Sequence, residues 1–182
     1  MTLALEVIGL HKGYTAGFGS CLAANAVLRG VDLEVERGEM LTIAGDPGSG
    51  RSTLLLCLAG LLRVDRGVVR CFGDESRDAA VRYTRHYLTA EYWGRSDESP
   101  DSWVHLVDLR DFTALSLGRL RLWLAERSRR GDAAIVVADS VDLGRHLTAR
   151  TLILQEGRLH ETCRAHARVA ERHFVDRSFE RV

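Results

Sequence analysis

Gly45-Asp46-Pro47-Gly48-Ser49-Gly50-Arg51-Ser52-Thr53 is the stretch that decides the fold. It follows the apolar run Met40–Ala44 and leads into Leu54-Leu55-Leu56-Cys57-Leu58, so it reads as a link from a buried strand to a helix. That is the setting a G-x-x-x-x-G-K-[ST] phosphate loop requires. Gly45, Gly48 and Gly50 let the backbone curl so that successive N–H groups point inward at phosphate oxygens. A helix beginning near Ser52 adds its partial positive charge, and the Ser52 hydroxyl stands where Mg²⁺ would be ligated. Arg51 replaces the lysine of the pattern, bringing a wide planar fork where lysine brings a compact point charge. The same glycines also serve a plain strand-to-helix turn that holds no ligand, and the spacing alone leaves that alternative open.

Working outward, four more short apolar runs qualify as buried parallel strands beside Met40–Ala44: Thr84–Thr89, Trp103–Asp108, Ala133–Asp139 and Thr151–Gln155. Between them lie helical candidates at Ser52–Leu62, Leu115–Arg129 and Val141–Thr148. In the second of these, Leu120, Trp123 and Leu124 recur at i, i+3 and i+4 and share one face. Strands alternating with helices predict an α/β fold with a parallel sheet flanked by helices. Ahead of it, Leu3–Ile8 and Val31–Val35 read as strands of an N-terminal antiparallel portion, with Thr15–Asn25 as a loop. Residues 73–82 and 91–102 read as polar connections. The organisation expected is one nucleotide-binding domain over 1–160 and a charged tail over 161–182.

Composition narrows the function classes. The 182 residues suffice for one domain with a substantial core. Lysines and arginines number 25, as do the carboxylates, so no global field points to nucleic acid or to an acidic membrane surface. Arg127, Arg129 and Arg130 beside Glu126 and Asp132 read as a solvated helix face. The four cysteines, Cys21, Cys57, Cys71 and Cys163, show no metal-binding pairing, and the seven histidines form no ligand cluster by spacing. No stretch reads as a signal peptide or approaches the roughly 20 apolar residues of a membrane helix, so a cytoplasmic protein is expected.

Val7–Tyr14 (VIGLHKGY) and Val27–Glu75, which contains the loop, together resemble the start of an ATP-binding cassette (ABC) ATPase. Ile135–Leu143 and Thr151–Leu159 resemble that family's switch strand and the strand that follows it. The resemblance implies a P-loop nucleoside triphosphate hydrolase fold, with ATP and Mg²⁺ as ligands and GTP not distinguished. It implies a nucleotide contact through Gly45, Gly48, Ser49, Gly50, Arg51, Ser52 and Thr53. In the family an aromatic residue before the loop stacks on adenine; Tyr14 stands there, and stacking of that kind contributes about 1–3 kcal/mol. A strand-end packing role for Tyr14 is equally compatible with the sequence.

The resemblance breaks in the middle of the chain. Ala90 occupies the position of the family's loop glutamine, and residues 91–102 replace most of a helical subdomain. Trp103–Asp108 reads as the Walker B strand, with Asp108 as metal ligand, Leu109 in place of the glutamate that polarises water, and Asp139 in place of the switch histidine. A rival alignment takes Leu115–Arg119 as a worn signature motif and Asp139 as the Walker B aspartate. The first is favoured because losing a peripheral subdomain costs the fold less than losing a central strand. Asp108 under the first alignment and Asp139 under the second are the candidate catalytic carboxylates, and both alignments leave the chain without a general base, without a switch histidine and with a compromised or absent signature. One missing group of this type typically costs about 10²–10⁴-fold in rate. The expectation is therefore an ABC-like protein that binds ATP with little or no hydrolysis. Its partner would be another cassette subunit or a membrane permease, reached from the cytoplasm at the membrane periphery. An active transporter ATPase and a small non-cassette kinase are the alternatives.

Overall fold

The computed structural model describes residues 3–16, 23–73, 81–85, 103–109 and 114–162. In Val31–Glu36 buried apolar residues alternate with exposed acidic ones, the pattern of a strand with one face on a core. Those residues end β2 (Ala23–Glu36), which pairs antiparallel with β1 (Leu3–Ala16) in register Ala16↔Ala23 at the hairpin end. The strands therefore run well into the segment expected as a loop, leaving only 17–22 between them outside the described residues. β3 (Met40–Ala44) follows the turn at Gly38, and α1 (Arg51–Leu58) follows the loop. β4 (Arg66–Cys71), which the sequence reading did not single out, adds to β1 to give a three-stranded antiparallel sheet in the order β2-β1-β4.

The second sheet has six strands in the order β5-β6-β7-β3-β8-β9. Its members are β5 (Val81–Arg85), β6 (Val104–Asp108), β7 (Ala133–Ala138), β8 (Arg150–Gln155) and β9 (Arg158–Glu161), around β3. All neighbours are parallel except β9, which turns back on β8. α2 (Ala114–Arg129) and α3 (Val141–Leu147) are the crossovers on one face. β5 begins inside the expected connection 73–82 and its described part ends at Arg85, so the remainder of the expected strand 84–89 lies outside the described residues. Residues 91–102 and 163–182 also lie outside them, whereas Glu161 belongs to β9 and not to a tail.

β7 explains why the central strands read as unbroken apolar runs. Ala133, Ile135 and Val137 join the cluster shared with α1 and the antiparallel sheet. Ala134, Val136 and Ala138 join the opposite cluster with Leu120, Trp123 and Leu124 of α2 and Leu147 of α3. A strand covered on both faces has no solvent side to mark with polar residues.

α1 ends earlier than its apolar run suggests. Gly60 takes a left-handed φ of 72°. Its N–H reaches the Cys57 carbonyl, and the Leu61 N–H reaches that of Leu56. This closes the helix in a Schellman turn and overturns the expected extension to Leu62. An eight-residue helix is marginal alone, so burial of Leu54, Leu55, Cys57 and Leu58 holds it in place.

The arginine-rich end of α2 is only half as expected. Arg129 and Arg130 pair with Glu126 on an exposed face. Arg127 and Asp132, however, are buried at 8% and 3% exposure. Asp132 accepts from the Trp103 N–H at 2.8 Å and from His105 Nε2 at 3.2 Å, with Arg127 Nη1 at 3.5 Å. Trp123 closes the group, with its ring 4.9 Å from that of His105 and the Arg127 guanidinium 5.5 Å from its centroid. Burial works against the charge of Asp132. The His105 and Trp103 hydrogen bonds and the charges of His105 and Arg127 outweigh it and hold the pKa below the ordinary carboxylate value.

Candidate functional site

The loop leaves β3 at Gly45 and closes on itself through the Ser49 N–H, which donates to Asp46 O at 3.1 Å. Gly50 then caps α1 with φ 102°, a conformation that a side chain would strain. A Cβ at Gly50 would also stand 2.9 Å from Val27 Cγ1. No side chain caps the first turn of α1, so its N-terminal N–H groups keep their donor capacity. Ser49 Oγ is buried with no hydrogen-bond partner among the described residues. An uncapped helix start and an orphaned buried hydroxyl in one loop fit an anion, the phosphates of a nucleotide included.

A cleft of about 610 Å³ opens beside the loop. Gly45 to Ser49 form one wall, Asp139 to Val141 a second, and Ile153 to Gly157 with Asn25 to Val27 a third. The third wall was not anticipated. It depends on the Glu156-Gly157 turn between β8 and β9, whose Gly157 carbonyl accepts from the Arg29 N–H at 2.8 Å. The sequence signal for it was that Glu-Gly pair between two short apolar runs.

Arg51 does not reach into open space. It is 7% exposed, and its Nη2 lies 2.6 Å from Asp139 Oδ1. Its Nη1 donates to the carbonyl of Ala138. The β3–β7 register, Ala44↔Ala138, places the residue after β7 beside the residues after β3. The planar fork thus spans a backbone and a side-chain acceptor, which a lysine ammonium does not match in geometry. Asp139 itself is exposed (61%) and lines the cleft. Ser140, next in the chain, caps α3 by accepting from the Leu143 N–H at 3.2 Å.

Tyr14 stands beside α1, its hydroxyl sharing a hydrogen bond of 3.4 Å with Thr53 Oγ1, and the residue is 44% exposed. The residue that fixes this part of β1 is Asp65, which no sequence motif flagged. Asp65 accepts from the Gly13 N–H at 2.7 Å and from Lys12 Nζ at 2.8 Å, and its own N–H donates to His11 O. Lys12 Nζ lies 5.8 Å from the centre of the Tyr14 ring. The Lys12–Asp65 hydrogen bond raises the Lys12 pKa and lowers that of Asp65.

Asp108 closes the buried strand β6 at 1% exposure, one strand beyond β7 as counted from the loop strand β3. Leu109 follows, buried at 4%, with its N–H donating to Val137 O at 3.0 Å. An apolar side chain therefore occupies the position after Asp108, and no group of three or more metal-ligating residues occurs among the described residues. Ser52 is partly buried in the first turn of α1. The structure thus brings Gly45, Gly48, Ser49 and Asp139 to one cleft, with Arg51 behind it. Tyr14 and Thr53 meet on a second flank.

A family model described as "ABC transporter" matches residues 28–93. An energy-coupling factor transporter ATP-binding protein of Geobacillus kaustophilus is 37% identical over 105 residues, covering 56% of this chain and 36% of that protein. A lipoprotein-releasing system ATP-binding protein of Roseobacter denitrificans is 36% identical over 102 residues, covering 48% of this chain and 43% of that protein. The chain thus spans less than half the length of these curated relatives. Among solved structures, an ATP-binding subunit of an ABC transporter aligns over 86% of this chain and 88% of its own, at TM-score 0.65 and 19% identity. A dimeric ATP-binding cassette in a post-hydrolysis state, bound to ADP and Pi, aligns over 86% of this chain and 97% of its own, at TM-score 0.67 and 14% identity. At these identities the likeness is one of fold. No helix among the described residues is long and apolar enough to cross a membrane.

Proposed function

We propose that this chain, a member of the ATP-binding cassette family, binds ATP at the loop Gly45–Thr53 and turns it over slowly or not at all, serving as a regulatory or partner subunit. The observation that carries the reading is the combination of an uncapped α1 and an orphaned Ser49 hydroxyl beside an Arg51 already engaged by Asp139. The first two favour anion binding. The third removes the free cation that positions the reacting phosphate.

In this reading the backbone N–H groups of Gly50 to Thr53 hold the phosphates and Tyr14 offers an exposed face to the base. Ser52 and Asp108 are the residues that would hold Mg²⁺, whose contribution is to neutralise phosphate charge. Leu109 supplies no general base, and Asp139 is a carboxylate committed to an arginine. The partner in this reading is another cassette subunit or a membrane permease, a choice supported by a dimeric cassette among the structural neighbours and by relatives named as transporter ATP-binding proteins.

The test is titration calorimetry of Mg-ATP into the wild type and Tyr14→Ala, followed by a phosphate-release assay. Expected are saturable binding, roughly tenfold weakening in Tyr14→Ala, and phosphate release that is slow or at the uncatalysed background. Turnover by the wild type at about one per second or faster, the range of ordinary enzymes, would overturn the reading of weak or absent hydrolysis. Absence of binding would overturn the nucleotide reading altogether.

A further inference from the structure

The two departures from the loop pattern touch each other. Arg51 stands where the pattern has lysine, and the residue whose carboxylate it holds, at 2.6 Å, is Asp139 at the mouth of the cleft. In a phosphate loop the basic residue reaches the second and third phosphates of a bound nucleotide. Here an internal anion already makes that contact. The Ala138 carbonyl takes the other arm of the guanidinium, and the side chain is 7% exposed, so Arg51 has no second position open to it without breaking both bonds.

The rest of the cleft has the same electrostatic sense. Its lining includes the carboxylates of Asp46, Asp139 and Glu156 against one arginine, Arg29. These acidic residues stand on all three walls, and each further phosphate adds negative charge to a ligand held among them. The groups suited to phosphate on the loop side are neutral dipoles, the uncapped N–H groups of α1 and the Ser49 hydroxyl. Dipoles of that kind serve the phosphates lodged inside the loop and not one projecting beyond it.

We infer that Asp139 is a specificity-determining residue: its carboxylate takes the place of a terminal phosphate on Arg51, so the site holds a nucleoside diphosphate at least as tightly as the triphosphate. This rests on the nucleotide reading given above and adds to it which nucleotide state is retained. No bond is made or broken; the selection is competition between two anions for one guanidinium.

The experiment is calorimetric titration of ADP and of ATP, each with Mg²⁺, into the full chain and into Asp139→Asn. The substitution keeps the shape and one acceptor oxygen while removing the charge. Wild type is expected to bind ADP as tightly as ATP or more so. Asp139→Asn is expected to gain roughly tenfold for ATP and less than about threefold for ADP. A wild type that prefers ATP by about tenfold or more would overturn the inference while leaving the nucleotide site standing. So would a variant that moves both ligands equally or neither. Should Asp139→Asn fail to fold, the wild-type ratio alone decides. If neither nucleotide binds to either protein, the inference falls together with the reading beneath it.

Discussion

β7 carries an aspartate–arginine pair at each end, and the two pairs are put to opposite uses. At its start Asp132 is buried with Arg127, His105 and Trp123. At its finish Asp139 is 61% exposed on a ligand cleft and reaches back to a buried Arg51. Chemistry does not distinguish them, because both are carboxylate–guanidinium contacts. Surroundings do. A pair enclosed by aromatic rings is part of the core, and removing one member strands a charge away from water. A pair with its carboxylate in solvent loses most of its strength to screening, and what remains valuable is where the charge stands.

Breaking the buried pair gives the largest expected effect. Asp132→Asn should cost about 3 kcal/mol in urea unfolding; a loss below about 1 kcal/mol would place this cluster with the surface pairs. Acid titration sharpens the same end. The folded pKa of Asp132 lies below its ordinary value of 3.8. Its contribution is therefore whole above that value and is lost as the pH falls through the lowered folded value. Stability followed by fluorescence below pH 4 should fall more steeply in the wild type than in Asp132→Asn. Parallel acid limbs would show that Asp132 is not the group responsible.

At the exposed end, Asp139→Asn should change stability by about 1 kcal/mol or less, since one partner is solvated. The smallest effect is the coupling. The six residues of β7 separate the pairs by roughly 20 Å. The double variant should therefore match the sum of the single ones to within about 0.5 kcal/mol. A larger deviation would mean that β7 transmits strain between its ends.

The difference between the two ends also marks what the sequence made legible. Strands β3, β6, β7 and β8 stood out because burial on both faces leaves uninterrupted apolar runs, and the loop stood out through its glycines. β4 did not, because it is a short edge strand in which Arg66, Gly67 and Arg70 interrupt the apolar residues. Arg127 and Asp132 read as solvated because charge in sequence carries no mark of burial; the aromatic residues that enclose them come from β6 and mid-α2. Arg51 and Asp139 were each singled out as departures from a pattern, yet their contact depends on β3–β7 register. That both positions departed together, each to the other's natural ion partner, was the available clue. Asp65, which holds Lys12 and Gly13 just before Tyr14, carried none, since a lone aspartate in a turn has no spacing to read.

Nucleotide retention is measured most directly by the urea midpoint of the wild type across a series of Mg-ADP and Mg-ATP concentrations. A ligand that binds only the folded chain stabilises it by about 2.7 kcal/mol at a hundred times its dissociation constant. The midpoint is expected to climb with the logarithm of nucleotide concentration, no less for ADP than for ATP. A cooperative transition that stays fixed in millimolar concentrations of both would contradict that expectation.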